Sequence, residues 1–383
     1  MLKAKNLLIN IFVLVITLLL IFSLFEMFII FSYPQPTFLR EEQISSKIFE
    51  KSDYTPWKLK PGAKDRQISD YGNEFNVPLS INSDGLRDDE INHRDILTKK
   101  IIGAIGDSFT YGYGVRLEDT YHKKLEKMIN KNLNDYLVIN MGRADGSLST
   151  DVQYLYLKRK GLKFNPKIII LGFYVGNDIT DIGTKTEWTG IDKDGYPTNI
   201  TTTYTYIDEK GRLRMSFERN NKNLSLFGRF NHFMSSWSHS YIFLKRLYIG
   251  AFLVKPEPDY LYDHPQDYLR NFDVSKKLLV GINSMLKSYN STLVVILIPA
   301  KVQVSDKDWE AYERYFKANS YRFNPQKELI KFCSENNINC LDLLPSYMGK
   351  TDTYFKIDGH WNEKGHELAA SELYKYLIAE KLI

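Results

Sequence analysis

The chain has 383 residues, more than one ordinary domain of ~100–200 residues needs, so one large domain with appendages is expected. Its formal net charge is +5 with no long basic block, and no nucleic-acid partner is expected. Tyr and Phe are spread along the chain, without an internal repeat or low-complexity tract.

The N-terminus is strongly apolar. After Lys3 and Lys5 the run "LLINIFVLVITLLLIFSLFEMFIIF" is interrupted only by Asn10, Thr17, Ser23 and Glu26. As a helix rising ~1.5 Å per residue it is long enough to cross a ~30 Å hydrocarbon core. A cleaved signal peptide has a shorter apolar region and small residues at its cut site, whereas "FEMFIIFSYPQP" offers bulky ones. Residues 1–32 therefore read as an uncleaved transmembrane anchor. Lys3, Lys5 and the terminal amine precede the span and Arg40, with Glu41 and Glu42, follows it. The positive-inside bias then puts the N-terminus in the cytoplasm and the rest of the chain outside.

Residues 33–97 are punctuated by Pro and Gly and contain the turn signal "NSDG". They read as a linker and a short-stranded accessory region packed on the main domain, with a solvated stalk as the competing view. From residue 98 to 383 the pattern alternates. The runs "KIIGAIGDS", "YLVINMG", "KIIILGFYV", "TLVVILIPA" and "NCLDLL" are short and apolar. Between and after them come helical patterns such as "LEDTYHKKLEKMINKNL", "TDVQYLYLKRKGL", "DVSKKLLVGINSMLKSY" and "NEKGHELAASELYKYLIAE". Continuously apolar strands separated by amphipathic helices indicate a parallel sheet covered on both faces, a doubly wound α/β domain.

An insertion at about 182–272 interrupts the alternation. In it "TYTYIDEKGRLRMS" reads as a hairpin and "RFNHFMSSWSHSYIFLKRLYIGAFL" as aromatic-rich helix. This segment would form a lid or wall beside the site, or lie on the membrane surface. Cys333 and Cys340 pair in an oxidising compartment or stay as two buried thiols; their spacing does not fit zinc, and no metal is expected. Asn199, Asn223 and Asn290 head glycosylation sequons by pattern.

In a doubly wound sheet ligands bind beyond the carboxyl ends of the strands, so the residues just after each strand are the ones to read. These are Asp107-Ser108, "NMGRADG", "YVGND" and, before the last helix, "YFKIDGHWN". Serine is a poor nucleophile until a base takes its proton, and imidazole titrates near neutrality, so Ser108 and His360 are the candidate nucleophile and base. Asp358 lies close enough in sequence to orient the imidazole. The candidate oxyanion donors are the Ser108 N–H, the Gly142 N–H and the Asn177 side-chain amide, with glycine at 142 letting a substrate approach the backbone. Asp107 and Asp178 read as structural. His93, His122, His232, His239, His264 and His366 read as surface or core residues, and Trp361 as packing or a platform for a sugar.

The blocks "GDSFTYG", "NMG", "GND" and "DGHWN" resemble, in order, those of the SGNH hydrolases, the GDSL-like esterase and acyltransferase superfamily. The resemblance runs over roughly residues 98–383, and "INSDGLRDDE" before it is similar to a segment of membrane-anchored members. It implies a three-layer α/β/α, flavodoxin-like fold with strand order 2-1-3-4-5, no cofactor, and the roles already given to Ser108, Gly142, Asn177 and His360. One position departs: most of the superfamily has Asp three residues before His, where this chain has Ile357. A similar D-x-H-W spacing occurs in relatives that acetylate extracellular polysaccharides. The expected function is a membrane-anchored extracytoplasmic serine esterase removing O-acyl groups, O-acetyl above all, from a cell-envelope carbohydrate or lipid. The alternatives are an O-acyltransferase served by a multi-spanning membrane acyl-donor partner, and a non-catalytic envelope assembly or glycan-binding protein.

Overall fold

The fold is seen in a computed structural model. It describes residues 2–33, 35, 47–55, 57–69, 74–131, 135–144, 149–183, 185–202, 205–207, 213–215, 225–252, 265–316, 322–356 and 358–383. Ile357 and the Asn223 sequon lie outside the described residues.

The apolar N-terminal run is one continuous helix, α1 (Leu2–Ser32), whose window Ile9–Ser32 is long and apolar enough to cross a membrane. Two antiparallel hairpins follow, β1 (Phe49–Lys51) with β2 (Trp57–Leu59) and β3 (Lys64–Ile68) with β4 (Asn76–Ser80). Leu59, Leu79 and Ile81 of this region pack with Tyr111 of the main body, so these described residues are packed on the α/β body rather than solvated.

The main sheet has five parallel strands, β5 (Lys100–Gly106), β6 (Tyr136–Asn140), β7 (Ile168–Tyr174), β12 (Thr292–Ile298) and β13 (Asn339–Asp342). They lie in the order β13-β12-β7-β5-β6. In the sheet's own sequence this is 2-1-3-4-5, the expected flavodoxin-like order. Alternate residues of each strand enter opposite cores: Ile169, Leu171 and Phe173 of β7 join Leu293, Val295 and Leu297 of β12 on one face. Ile168, Ile170, Val294 and Ile296 line the other. A strand apolar at every position is therefore required, and the period-2 signal of a half-exposed strand is absent for that reason. Helices α5 (Thr150–Arg159), α8 (Pro265–Ser288) and α11 (Asn324–Glu335) cover the first face, while α4 (Tyr121–Ile129) and α13 (Glu363–Ala379) cover the second.

The insertion holds more than sequence periodicity shows. A hairpin of β8 (Thr186–Ile191) and β9 (Pro197–Thr202) precedes the expected one, which is present as β10 (Thr205–Ile207) with β11 (Leu213–Met215). The aromatic-rich stretch is two helices, α6 (Leu226–Trp237) and α7 (His239–Phe252), divided at Ser238.

Candidate active site

Strand β5 ends at Gly106, and the chain turns directly into the short helix α3 (Ser108–Tyr111). Asp107 makes that turn: its Oδ1 accepts the Phe109 N–H at 2.9 Å, an N-cap contact, and its Oδ2 accepts from Asn177 Nδ2 at 3.2 Å. Burial pushes the Asp107 carboxyl up to about 6, against those hydrogen bonds and the pull of His360. The helix sits close on the sheet edge. A Cβ on Gly142 would strike the backbone of Thr110 and Tyr111. Glycine at 142 is thus required by the close approach of α3.

Ser108 Oγ lies 2.7 Å from His360 Nε2, and His360 Nδ1 lies 2.5 Å from Asp358 Oδ1. A carboxylate only accepts, so Nδ1 carries the proton toward Asp358 and Nε2 is left to accept from the serine hydroxyl. Burial pushes the Asp358 carboxyl up, but its hydrogen bond and charge interaction with His360, helped by Lys301, outweigh this and hold it below the usual carboxylate range. The imidazole is packed between Phe109, at 5.0 Å, and Tyr113, at 4.9 Å between ring centroids.

The two-residue spacing of Asp358 and His360 has a local cause. The same oxygen, Asp358 Oδ1, also accepts the His360 backbone N–H at 3.1 Å. This i to i+2 contact is an Asx-turn, which folds the side chain of residue i back beside residue i+2. In a strand the two side chains would point to opposite faces. The turn is closed by Phe355 N–H donating to His360 O at 2.9 Å and by the bridge between Tyr354 and Trp361. Gly359 is not what permits the bend: its φ is not positive, and a Cβ there meets nothing within 4 Å.

The remaining donors are placed less simply. The Ser108 N–H is in the first turn of α3, where no intrahelical acceptor exists. The Gly142 N–H donates to Asn140 Oδ1 at 2.9 Å, so it reaches a ligand only by sharing or releasing that bond. Asn177 gives one amide hydrogen to Asp107 and has a second to offer, while its buried Oδ1 has no partner among the described residues. A small cavity of about 80 Å³ lies beside Gly142, walled in part by Tyr54, Tyr156 and Arg143.

Several residues that support the site carry no motif. Arg87, buried, donates to Tyr111 O at 2.7 Å and to Gly112 O and Val115 O at 2.5 Å each, gathering the carbonyls that follow α3. Glu74 accepts the Asp358 N–H, and Lys301 donates to Phe355 O at 2.8 Å and Lys356 O at 2.5 Å. Only Arg87 falls in a stretch singled out from sequence, "INSDGLRDDE". Trp361 is fully buried, stacked on Tyr347 at 5.1 Å, and cannot serve as a sugar platform. His122 and His366 are core residues held neutral by burial. Asp178 accepts from Gln153 Nε2 and Tyr174 N–H, a structural setting. Cys333 and Cys340 are free thiols.

Residues 257–382 match the family model described as SGNH hydrolase-like domain, acetyltransferase AlgX. That stretch holds Asp358 and His360, while Ser108, Gly142 and Asn177 precede it. No match to a curated protein is found. Among solved structures the chain is similar to the acetyl xylan esterase AlAXEase, at 14% identity over 72% of this chain and 98% of that one, TM-score 0.36. It is also similar to a lipase/acylhydrolase from Enterococcus faecalis, at 13% identity over 73% and 96%, TM-score 0.39. A third is the psychrotrophic esterase EstA from Pseudoalteromonas sp., at 11% identity over 74% and 100%, TM-score 0.37.

Proposed function

We propose that the chain, whose residues 257–382 match an SGNH hydrolase-like domain, is an ester-acting hydrolase or acyltransferase that works through a Ser108 acyl-enzyme on O-acyl groups outside the cytoplasm. Ser108 Oγ attacks the ester carbonyl while His360 Nε2 takes its proton. Asp358 orients the imidazole and stabilises the imidazolium. The tetrahedral oxyanion is met by the Ser108 N–H, the Asn177 amide and, once freed from Asn140, the Gly142 N–H. The imidazolium then protonates the leaving alcohol, and an acylated Ser108 remains. The observation that carries this reading is the continuous contact from Ser108 Oγ through both nitrogens of His360 to Asp358.

The substrate we propose is an O-acetylated carbohydrate, or a lipid, of the cell envelope. Helix α1 would be the anchor, N-terminus inside, with the site on the far side of the membrane. A second reading is favoured by the acetyltransferase named in the matching family: a sugar hydroxyl, instead of water, resolves the acyl-enzyme, with the acyl group supplied by a multi-spanning membrane partner. The test is a set of acetyl and longer acyl esters offered with and without oligosaccharide acceptors. Hydrolysis supports the esterase, transfer to the sugar supports the transferase, and turnover of neither by protein that labels at Ser108 contradicts both substrate readings.

A further inference from the structure

Glu26 lies in the apolar α1 helix, six residues before its end, or about 9 Å below it at ~1.5 Å per residue. A carboxylate at that depth is costly unless its acceptors are filled. Here they are filled by one structure, the junction between α6 and α7. Ser238 Oγ donates to Glu26 at 2.8 Å, His239 N–H at 2.6 Å and Ser240 N–H at 3.0 Å, and the Ser240 hydroxyl donates as well. The carboxylate therefore caps the N-terminus of the 14-residue helix α7, where its charge also meets the positive end of the helix dipole. The contact is extended by Phe25 and Tyr33 against Phe243, at 6.5 and 5.9 Å, and by Gln35 N–H donating to His239 Nδ1 at 2.7 Å. Ser238 and Ser240 are fully buried in it.

The two helices fixed at that point are tied to each other, since Tyr241 Oη and Lys245 Nζ of α7 both donate to Asn231 Oδ1 of α6. Among the described residues, both helices expose large apolar side chains. On α6 Phe227, Phe230, Phe233 and Trp237 recur at spacings of three and four, one face of a helix, and are 76%, 53%, 60% and 42% exposed. On α7 Leu244 and Leu247 are 51% and 54% exposed. A contiguous aromatic stripe of this kind marks an interaction surface rather than ordinary scatter.

We propose that α6 and α7 form an interfacial helix pair that lies in the lipid leaflet through which α1 leaves the membrane, with its Phe and Trp side chains among the upper acyl chains. The occupant is lipid because the pair is pinned to α1 through Glu26, at the boundary of the ~30 Å core that α1 would cross. The apolar surface of α1 thus continues into the stripe. Amphipathic helices bearing Trp, Phe and Leu on one face partition into this boundary. The proposal rests on α1 being a membrane anchor. It implies that the insertion between β7 and β12 holds the domain against the bilayer, so that the acyl ester is met at the membrane surface.

The test uses the full-length protein reconstituted into phosphatidylcholine vesicles. Flotation reads the anchor. Trp237 fluorescence, isolated as the difference between the wild type and Trp237→Phe, reads the helix pair. Phospholipids carrying a nitroxide high on the acyl chain should quench most of this signal, and aqueous iodide should quench little of it. The double variant Phe230→Glu with Phe233→Glu, still floating and still labelled at Ser108 by a fluorophosphonate, should lose the lipid quenching. Protein that fails to float overturns the anchor and this proposal together. Protein that floats with Trp237 quenched by iodide and not by lipid overturns this proposal alone, and so does a double variant whose lipid quenching is unchanged.

Discussion

The Glu74 carboxylate accepts the backbone N–H of Asp358 at 2.7 Å, joining the accessory region to the turn that carries Asp358 and His360, 284 positions later. Phe75 beside it packs on Phe355 at 5.0 Å and on Tyr113 at 5.3 Å. Glu74 thus acts through Asp358, as a positioning residue. Glu74→Ala should lower kcat about tenfold with KM little changed, the equivalent of one charge-assisted hydrogen bond. Glu74→Gln keeps an acceptor oxygen and should restore most of the rate. A role in folding alone would instead lower the yield of active enzyme, with kcat per labelled site unchanged in both variants.

The Asx-turn separates charge from geometry at Asp358. Asp358→Asn keeps an oxygen for the His360 N–H but removes the negative charge beside Nδ1, so kcat/KM should fall by about 10²–10⁴ while the protein stays folded. His360→Ala should cost more. Near-normal turnover in Asp358→Asn would leave a Ser–His dyad in place of the triad. Gly359→Ala should be almost silent, within about 0.5 kcal/mol of stability, because its φ is not positive and its surroundings are open.

How far sequence alone reaches is clearest by comparing β7 with Glu74. Strand β7 is apolar at nearly every position because both sheet faces are covered, so its class and its parallel pairing are written in its composition. The blocks after the strands stand out because turn chemistry and reactive side chains coincide there, and the fold brings Ser108, His360 and Asp358 together. Glu74, Lys301 and Arg87 were not legible as supports for the site. Each acts through contacts that only tertiary structure creates, and a lone Glu or Lys in a loop carries no periodicity. The break at Ser238 was hidden for a similar reason: both flanking segments are aromatic and helical, and the acid that caps the second helix lies in α1. The packing partner of Gly142 was hidden too, because glycine in a sequence signals freedom or close approach without saying what approaches, and here it is the backbone of Thr110 and Tyr111.

The buried histidines predict an acid-sensitive fold. His366 Nδ1 accepts the Tyr121 N–H at 3.2 Å, which demands an unprotonated ring, and burial lowers the group from 6.5 to about 3. The unfolded chain binds this proton near pH 6.5 and the folded one does not, so the stability it protects is complete above about 6.5 and lost progressively as the pH falls toward 3. Between pH ~6.5 and ~5 this group alone should cost about 2 kcal/mol of unfolding free energy. Urea denaturation at a series of pH values checks it: His366→Gln should flatten the slope, His122 accounting for part of the remainder, and an unchanged slope would contradict the assignment.

The proposed topology rests on α1 being an anchor with its N-terminus inside. Protease added to intact cells or spheroplasts should digest the catalytic domain. Full protection until lysis would place the site on the cytoplasmic side instead.

The central claim is that Ser108 becomes acylated. A fluorophosphonate captures an activated serine without requiring the natural substrate, so it tests this claim apart from every reading of the acyl group or acceptor. Mass spectrometry of the labelled wild type should find one adduct, on the peptide containing Ser108. Ser108→Ala, which removes one small hydroxyl, should fold normally and take no label. Asn177→Ala should label about 10²–10³-fold more slowly if its amide is an oxyanion donor. An adduct on another residue, or labelling that persists in Ser108→Ala, would contradict the account.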